Sequence, residues 1–146
     1  MKKLILSISA ALILGQAGAA DLTWQTDVPH ALAQAKTEKK LVLLDFTGSD
    51  WCVWCKKLDA DTLAQPEFAA YAKTNLVLVE VDFPNHKEQS EALKAANTAL
   101  AKKFKVQGYP TLVALKPDGA EAWRTEGYLE GGPAALIAQL NGVPKP

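Results

Sequence analysis

The 146-residue chain is 49% hydrophobic and 22% charged, a balance that excludes disordered and fibrous polypeptides and fits one domain with its own core. Sixteen basic residues offset sixteen acidic ones, so no net field recruits nucleic acid or an anionic membrane surface. That argues against a polyanion-binding role.

In chain order, residues 1–20 read as a signal peptide. Lys2 and Lys3 form a basic n-region, and 4–14 is an uncharged, largely apolar h-region of eleven residues. Ala17-Gly18-Ala19 or Gly18-Ala19-Ala20 then supplies small residues for cleavage. Eleven residues fall short of the about 20 that a membrane-spanning helix needs. The expectation is cleavage near Ala19 or Ala20, a periplasmic or secreted product, and one domain over 21–146. Cleavage removes two lysines and no acids, leaving 14 basic against 16 acidic residues, a net charge of −2.

Residues 31–39 predict a short helix after Pro29, with Leu32 and Ala35 on one face. The run 41–46 (LVLLDF) is continuously apolar up to Asp45, as in a strand buried on both faces. Gly48-Ser49-Asp50 is turn chemistry, and a helical stretch follows from Cys52 toward Tyr71, broken or restarted at Pro66. A second strand covers 76–83 and a long helix 87–104, with Leu93, Asn97, Leu100 and Phe104 on one stripe and Ala96 beside it. Strands at 111–115 and 121–125 flank the turn Lys116-Pro117-Asp118-Gly119. Gly131-Gly132-Pro133 opens a last helix through Leu140. Apolar strands separated by helices imply parallel pairing, and the final short turn implies an antiparallel hairpin. The reading is an α/β domain with a central mixed sheet of about four strands, flanked by helices, and an extra helix at the N-terminal side.

Two cysteines occur, Cys52 and Cys55. A disulfide between them closes almost no loop, so it adds little to stability and points to chemistry. Structural zinc needs four ligands, and only His30 and His86 remain as imidazoles, both isolated in sequence. Covalent haem attachment needs His directly after the second Cys, where Lys56 stands. A Cys at a helix start meets unpaired backbone N–H groups and the positive end of the helix dipole, which favour thiolate. Cys52 is thus the attacking sulfur, more exposed, and Cys55, nearly one turn on, the covered resolving one. No metal or other cofactor is called for.

Leu43-Leu44-Asp45-Phe46, Trp51-Cys52-Val53-Trp54-Cys55-Lys56 and Gly108-Tyr109-Pro110-Thr111, in this order and spacing, resemble the thioredoxin superfamily. The likeness runs over about 31–140. The segment 46–52 (FTGSDWC) is similar to exported bacterial thioredoxin-like proteins, including the C-terminal domain of the Dsb-type membrane reductant. Gly-Tyr-Pro-Thr is similar to protein disulfide isomerase domains. The resemblance implies a thioredoxin fold and thiol–disulfide exchange. It makes Pro110 the cis-proline opposite the dithiol, with the Tyr109 backbone bonding an extended substrate. It makes Asp45 the buried acid behind Cys55, a proton acceptor of raised pKa; the other reading of Asp45 is a solvated strand-end residue. Lys56 matches a frequent family lysine and reads equally as an exposed helix charge.

Val53-Trp54 departs from the Gly-Pro of thioredoxin and the Gly-His of the isomerases. Without an imidazole there, helix-end stabilisation alone implies a moderately acidic Cys52 and a reducing to intermediate poise. Trp54 either grips partner chains, together with Trp51, or packs on its own domain. The leading reading is a monomeric disulfide reductase that forms mixed disulfides with partner proteins and is supplied by a membrane or soluble donor. A disulfide oxidase or isomerase is the first alternative, and a peptide-binding chaperone without turnover the second. A metallochaperone comes third.

Overall fold

The structure, a computed structural model, describes residues 22–144, so the expected signal peptide and its cleavage point lie outside the described residues. Strand β1 (Trp24–Gln25) leads into helix α1 (Val28–Glu38). The Asp27 carboxylate caps that helix by accepting the His30 N–H at 2.9 Å, and Pro29 falls in the first turn, where no N–H is lost. This is why α1 starts three residues before the expected 31. It ends at Lys39 in a left-handed conformation.

Strand β2 (Leu41–Thr47) follows, then helix α2 (Val53–Leu58), a π-helical turn (Asp59–Leu63) and helix α3 (Pro66–Asn75). The expected break at Pro66 is there, with Pro66 in the first turn of α3. Strand β3 (Leu76–Asp82), helix α4 (Glu91–Lys103), strands β4 (Thr111–Leu115) and β5 (Glu121–Glu126), and helix α5 (Gly132–Asn141) complete the order. Helix α4 begins later than residue 87 because Ser90 caps it, its hydroxyl accepting the Leu93 N–H at 3.2 Å.

The sheet order is β1-β3-β2-β4-β5. Strands β1, β2 and β3 run parallel, and β4 and β5 run antiparallel to their neighbours. The mixed sheet and the order of its helices follow the expected thioredoxin arrangement. It has five strands where about four were expected, and the addition is β1, which pairs two residues with Leu78 and Val79. Leu41, Leu43, Leu76 and Leu78 face a core closed by Leu58, Phe68 and Leu136 from α2, α3 and α5. Val42, Leu44, Phe46, Val77, Val79 and Val81 face the other core, under Val28, Ala31 and Ala35 of α1. Asp45 and Glu80 continue the first stripe, directly opposite each other in the β2–β3 register. Two carboxyls thus stand where leucines would complete the core, beneath the helix that carries Cys55.

Candidate active site

Cys52 and Cys55 are joined in a disulfide, with Cα atoms 5.2 Å apart. Cys52 is the N-cap of α2, and the Cys55 N–H points at its Sγ at 3.2 Å. A thiolate formed at Cys52 would meet that donor, as the helix-start reading requires. The contrast in exposure is slight, since Cys52 is 6% exposed and Cys55 4%. Their surroundings differ more. Cys52 Sγ lies 3.8 Å from the Tyr109 carbonyl oxygen, whereas Cys55 lines a cavity of about 280 Å³ with Asp45, Thr47, Lys56, Asp59 and Glu80.

The segment before Cys52 is tied to the end of β3. Ser49 donates its N–H and hydroxyl to the Asp82 carboxylate at 2.9 and 2.5 Å. Asp50 accepts the backbone N–H groups of Asn85, His86 and Lys87 at 2.9, 2.6 and 2.9 Å. Desolvation opposes ionisation of Asp50, but these three donors and the nearby His86 outweigh it and hold the carboxyl down to about 2. Trp51 donates its indole N–H to the Phe83 carbonyl at 2.8 Å and stacks edge-on to Tyr109, ring centroids 6.0 Å apart. Lys56 donates to the Asp50 carbonyl at 3.0 Å. The family-type lysine therefore braces the loop.

Tyr109–Pro110 is a cis peptide, and Trp54, Tyr109, Pro110, Gly127, Tyr128 and Glu130 line a groove of about 340 Å³ beside the disulfide. Trp54 is 55% exposed and also leans on Tyr128, ring centroids 5.5 Å apart, so both readings of its ring describe part of it. Tyr128 is fixed in turn by its hydroxyl, which donates to Asp61 at 2.8 Å.

Asp45 is part-buried, and its Oδ1 is fully enclosed without a hydrogen-bond partner. Burial, then Glu80, Asp59 and Asp82, push its carboxyl up to about 8. Glu80 is raised too, by burial and by Asp82 and Asp59, against the pull of Lys87. A carboxyl in this state holds a proton near neutral pH and can exchange it with an adjacent sulfur. Among the described residues, no group of three or more His, Cys, Asp or Glu converges to hold a metal ion, and no helix is long and apolar enough to cross a membrane.

The structure therefore brings Cys52, Trp51, Trp54, Tyr109 and Pro110 to one surface, with Asp45 behind Cys55. The sequence reading missed Glu80, Asp50 and Tyr128. Glu80 had a visible signal, since it interrupts the stripe Leu76, Leu78 as Asp45 interrupts Leu41, Leu43. Asp50 looked like ordinary turn chemistry, and nothing local marks Tyr128.

The profile of the thioredoxin-like domain matches residues 28–143. Over 127 residues the chain is 38% identical to "Disulfide bond reductase DsbH" of Chlamydia pneumoniae, covering 87% of this chain and 75% of that protein. Over 106 residues it is 36% identical to "Thiol:disulfide interchange protein DsbD" of Cronobacter sakazakii; the match takes in 71% of this chain but only 17% of that longer protein. A solved structure described as "DsbH Oxidoreductase" superposes with a TM-score of 0.81 at 36% identity, covering 92% of each chain. Sequence profile, relatives and superposed backbone agree over the residues that build the sheet and carry the dithiol, and the chain belongs to the thioredoxin-like family.

Proposed function

We propose that this chain is an exported thiol–disulfide oxidoreductase that reduces disulfide bonds in partner proteins. The observation that carries the reading is the Cys52–Cys55 disulfide at the start of α2, set against the Tyr109 carbonyl and the open groove beside it. In the reduced protein, Cys52 thiolate attacks a substrate disulfide, forms a mixed disulfide and releases one substrate thiolate. Cys55 gives its proton to Asp45 and attacks Cys52 Sγ, which frees the second substrate thiolate and closes Cys52–Cys55. A donor dithiol then reopens the pair. The substrate strand lies in the groove, against the Tyr109 backbone and the exposed faces of Trp51 and Trp54. The similarity to a named disulfide bond reductase favours reduction over oxidation, and a membrane donor is the kind of partner that the interchange-protein relatives suggest.

Insulin reduction tests this. Wild type should turn over with dithiothreitol as donor, and Cys52→Ser should fall to the uncatalysed background. Cys55→Ala should hold partner proteins on Cys52 as mixed disulfides. Turnover that survives Cys52→Ser would remove the reading, as would a reduction potential near the roughly −120 mV of a strong oxidant.

A further inference from the structure

We propose that Glu80 is a positioning residue for proton transfer, sharing one proton with Asp45 behind Cys55 so that the two carboxyls act as a single proton reservoir for the disulfide. This rests on the reading of Asp45 as the acid that serves Cys55.

The geometry comes from the sheet. Asp45 and Glu80 are register partners on adjacent parallel strands, so their side chains leave the sheet on the same face. That face packs under α2, and both residues line the cavity that Cys55 also lines. Asp45 Oδ1 is enclosed and receives no hydrogen bond. The Glu80 carboxyl accepts no hydrogen bond and closes no ion pair among the described residues. Each of the other charged groups around the pair has a different place. From β3 itself, Asp82 is committed to Ser49 and to Lys87, the latter at 3.7 Å. From the helical side, Asp59 adds negative charge and Lys56 is turned to the Asp50 carbonyl. Lys56 and Lys87 also line this cavity, and Lys87 pulls on Glu80, but their bonds go to the Asp50 carbonyl and to Asp82. Two neighbouring carboxyls in such a partly desolvated cavity do not ionise independently. Titrating either one governs the other.

During reduction of the enzyme, a donor thiolate attacks Cys52 Sγ. The donor–Cys52 bond forms, the Cys52–Cys55 bond breaks, and its electron pair goes to Cys55 Sγ. Cys55 takes the proton of the carboxyl pair from Asp45, and the emptied pair is left to take that proton back when Cys55 next attacks. The donor's second thiolate then attacks the mixed disulfide and leaves Cys52 as thiolate. The donor departs oxidised by two electrons, and the enzyme has gained those electrons, with one proton moved from the carboxyl pair to Cys55.

The test follows the Asp45 carboxyl by carbon-13 NMR through a pH titration of the oxidised protein, in wild type, Glu80→Gln and Glu80→Lys. Removing the neighbouring charge should lower the Asp45 midpoint by about 0.5–2 pH units, the span of a unit charge one strand away at intermediate to high dielectric. Glu80→Lys should move it further in the same direction. The pH profile for reduction of Cys52–Cys55 by dithiothreitol should shift with it. A midpoint and profile unmoved in Glu80→Gln, which keeps the side chain's size and so decides the matter even where Glu80→Lys misfolds, overturn the proposal. These readouts use no protein substrate, so loss of insulin turnover in wild type would strike the reductase reading and leave this coupling standing.

Discussion

Asp45 occupies a position on β2 where the two preceding residues on its face, Leu41 and Leu43, are fully committed to the core. An ordinary aspartate ionises near pH 4, whereas this one is pushed up to about 8, by burial first and by Glu80, Asp59 and Asp82 after it. Between those values the unfolded chain has released a proton that the folded chain still binds. Stability therefore falls as pH rises through that window and levels off above it, the reverse of a paired carboxylate. Asp45→Asn should remove this slope. We expect urea unfolding to show wild type and variant alike near pH 4, and the variant more stable near pH 8.5 by on the order of a few kcal/mol. Insulin turnover should fall at the same time, because the group that strains the fold is the one that serves Cys55. Parallel stability curves for the two proteins would contradict the assignment. Asp50 has the opposite sign, since its ionised form collects three backbone donors and its contribution lasts until the pH falls toward about 2. The family resemblance implied a raised Asp45, whereas Asp50 read as ordinary turn chemistry because its three donors lie 35 to 37 residues away.

At the scale of elements, the dithiol is aimed by a short loop between β2 and α2 that three residues fasten to the end of β3 and the segment after it. Ser49 supplies two hydrogen bonds, Asp50 three and Trp51 one. Gly48 is needed there for space. A Cβ at this position would lie 2.5–2.7 Å from the Trp51 indole, which packs directly over it. Gly48→Ala should displace that ring and break its bond to the Phe83 carbonyl, destabilising the protein by about 1–3 kcal/mol, the usual range for overpacking. The checks are the urea midpoint and faster solvent exchange of the Trp51 indole N–H; unchanged exchange would show that the ring tolerates the methyl. The sequence made Gly48-Ser49-Asp50 a turn, correctly, but the partners of that turn lie more than 30 residues away. Local chemistry cannot display such bonds. The same holds for the π-helical turn, whose Ala64 N–H reaches back to the Asp59 carbonyl at 2.8 Å although Asp59–Leu63 has no residue that marks it. Pro66, by contrast, announced its helix restart because its missing N–H acts locally.

For the molecule as a whole, topology was legible wherever burial leaves a pattern. Strands β2, β3 and β4 are near-continuous apolar runs because helices cover both faces of the sheet. Strand β1 was invisible because two half-buried residues carry no period and exist as a strand only through Leu78 and Val79. This division of labour bears on residues 1–20. The described residues build two buried cores between Val28 and Val143, and residues 1–20 carry the basic and apolar segments of a leader. A leader read by export machinery needs its own basic and apolar segments but no contact with the folded domain. We therefore expect the chain expressed in a Gram-negative host to be recovered from the periplasm with Ala20 or Asp21 as its first residue, as N-terminal sequencing would show. Protein made directly from Asp21 should unfold at the same urea midpoint as the exported product. Retention of 1–20 on the exported protein would mean that the segment anchors rather than addresses the chain. A lower midpoint for the shortened protein would mean that the fold extends upstream of β1.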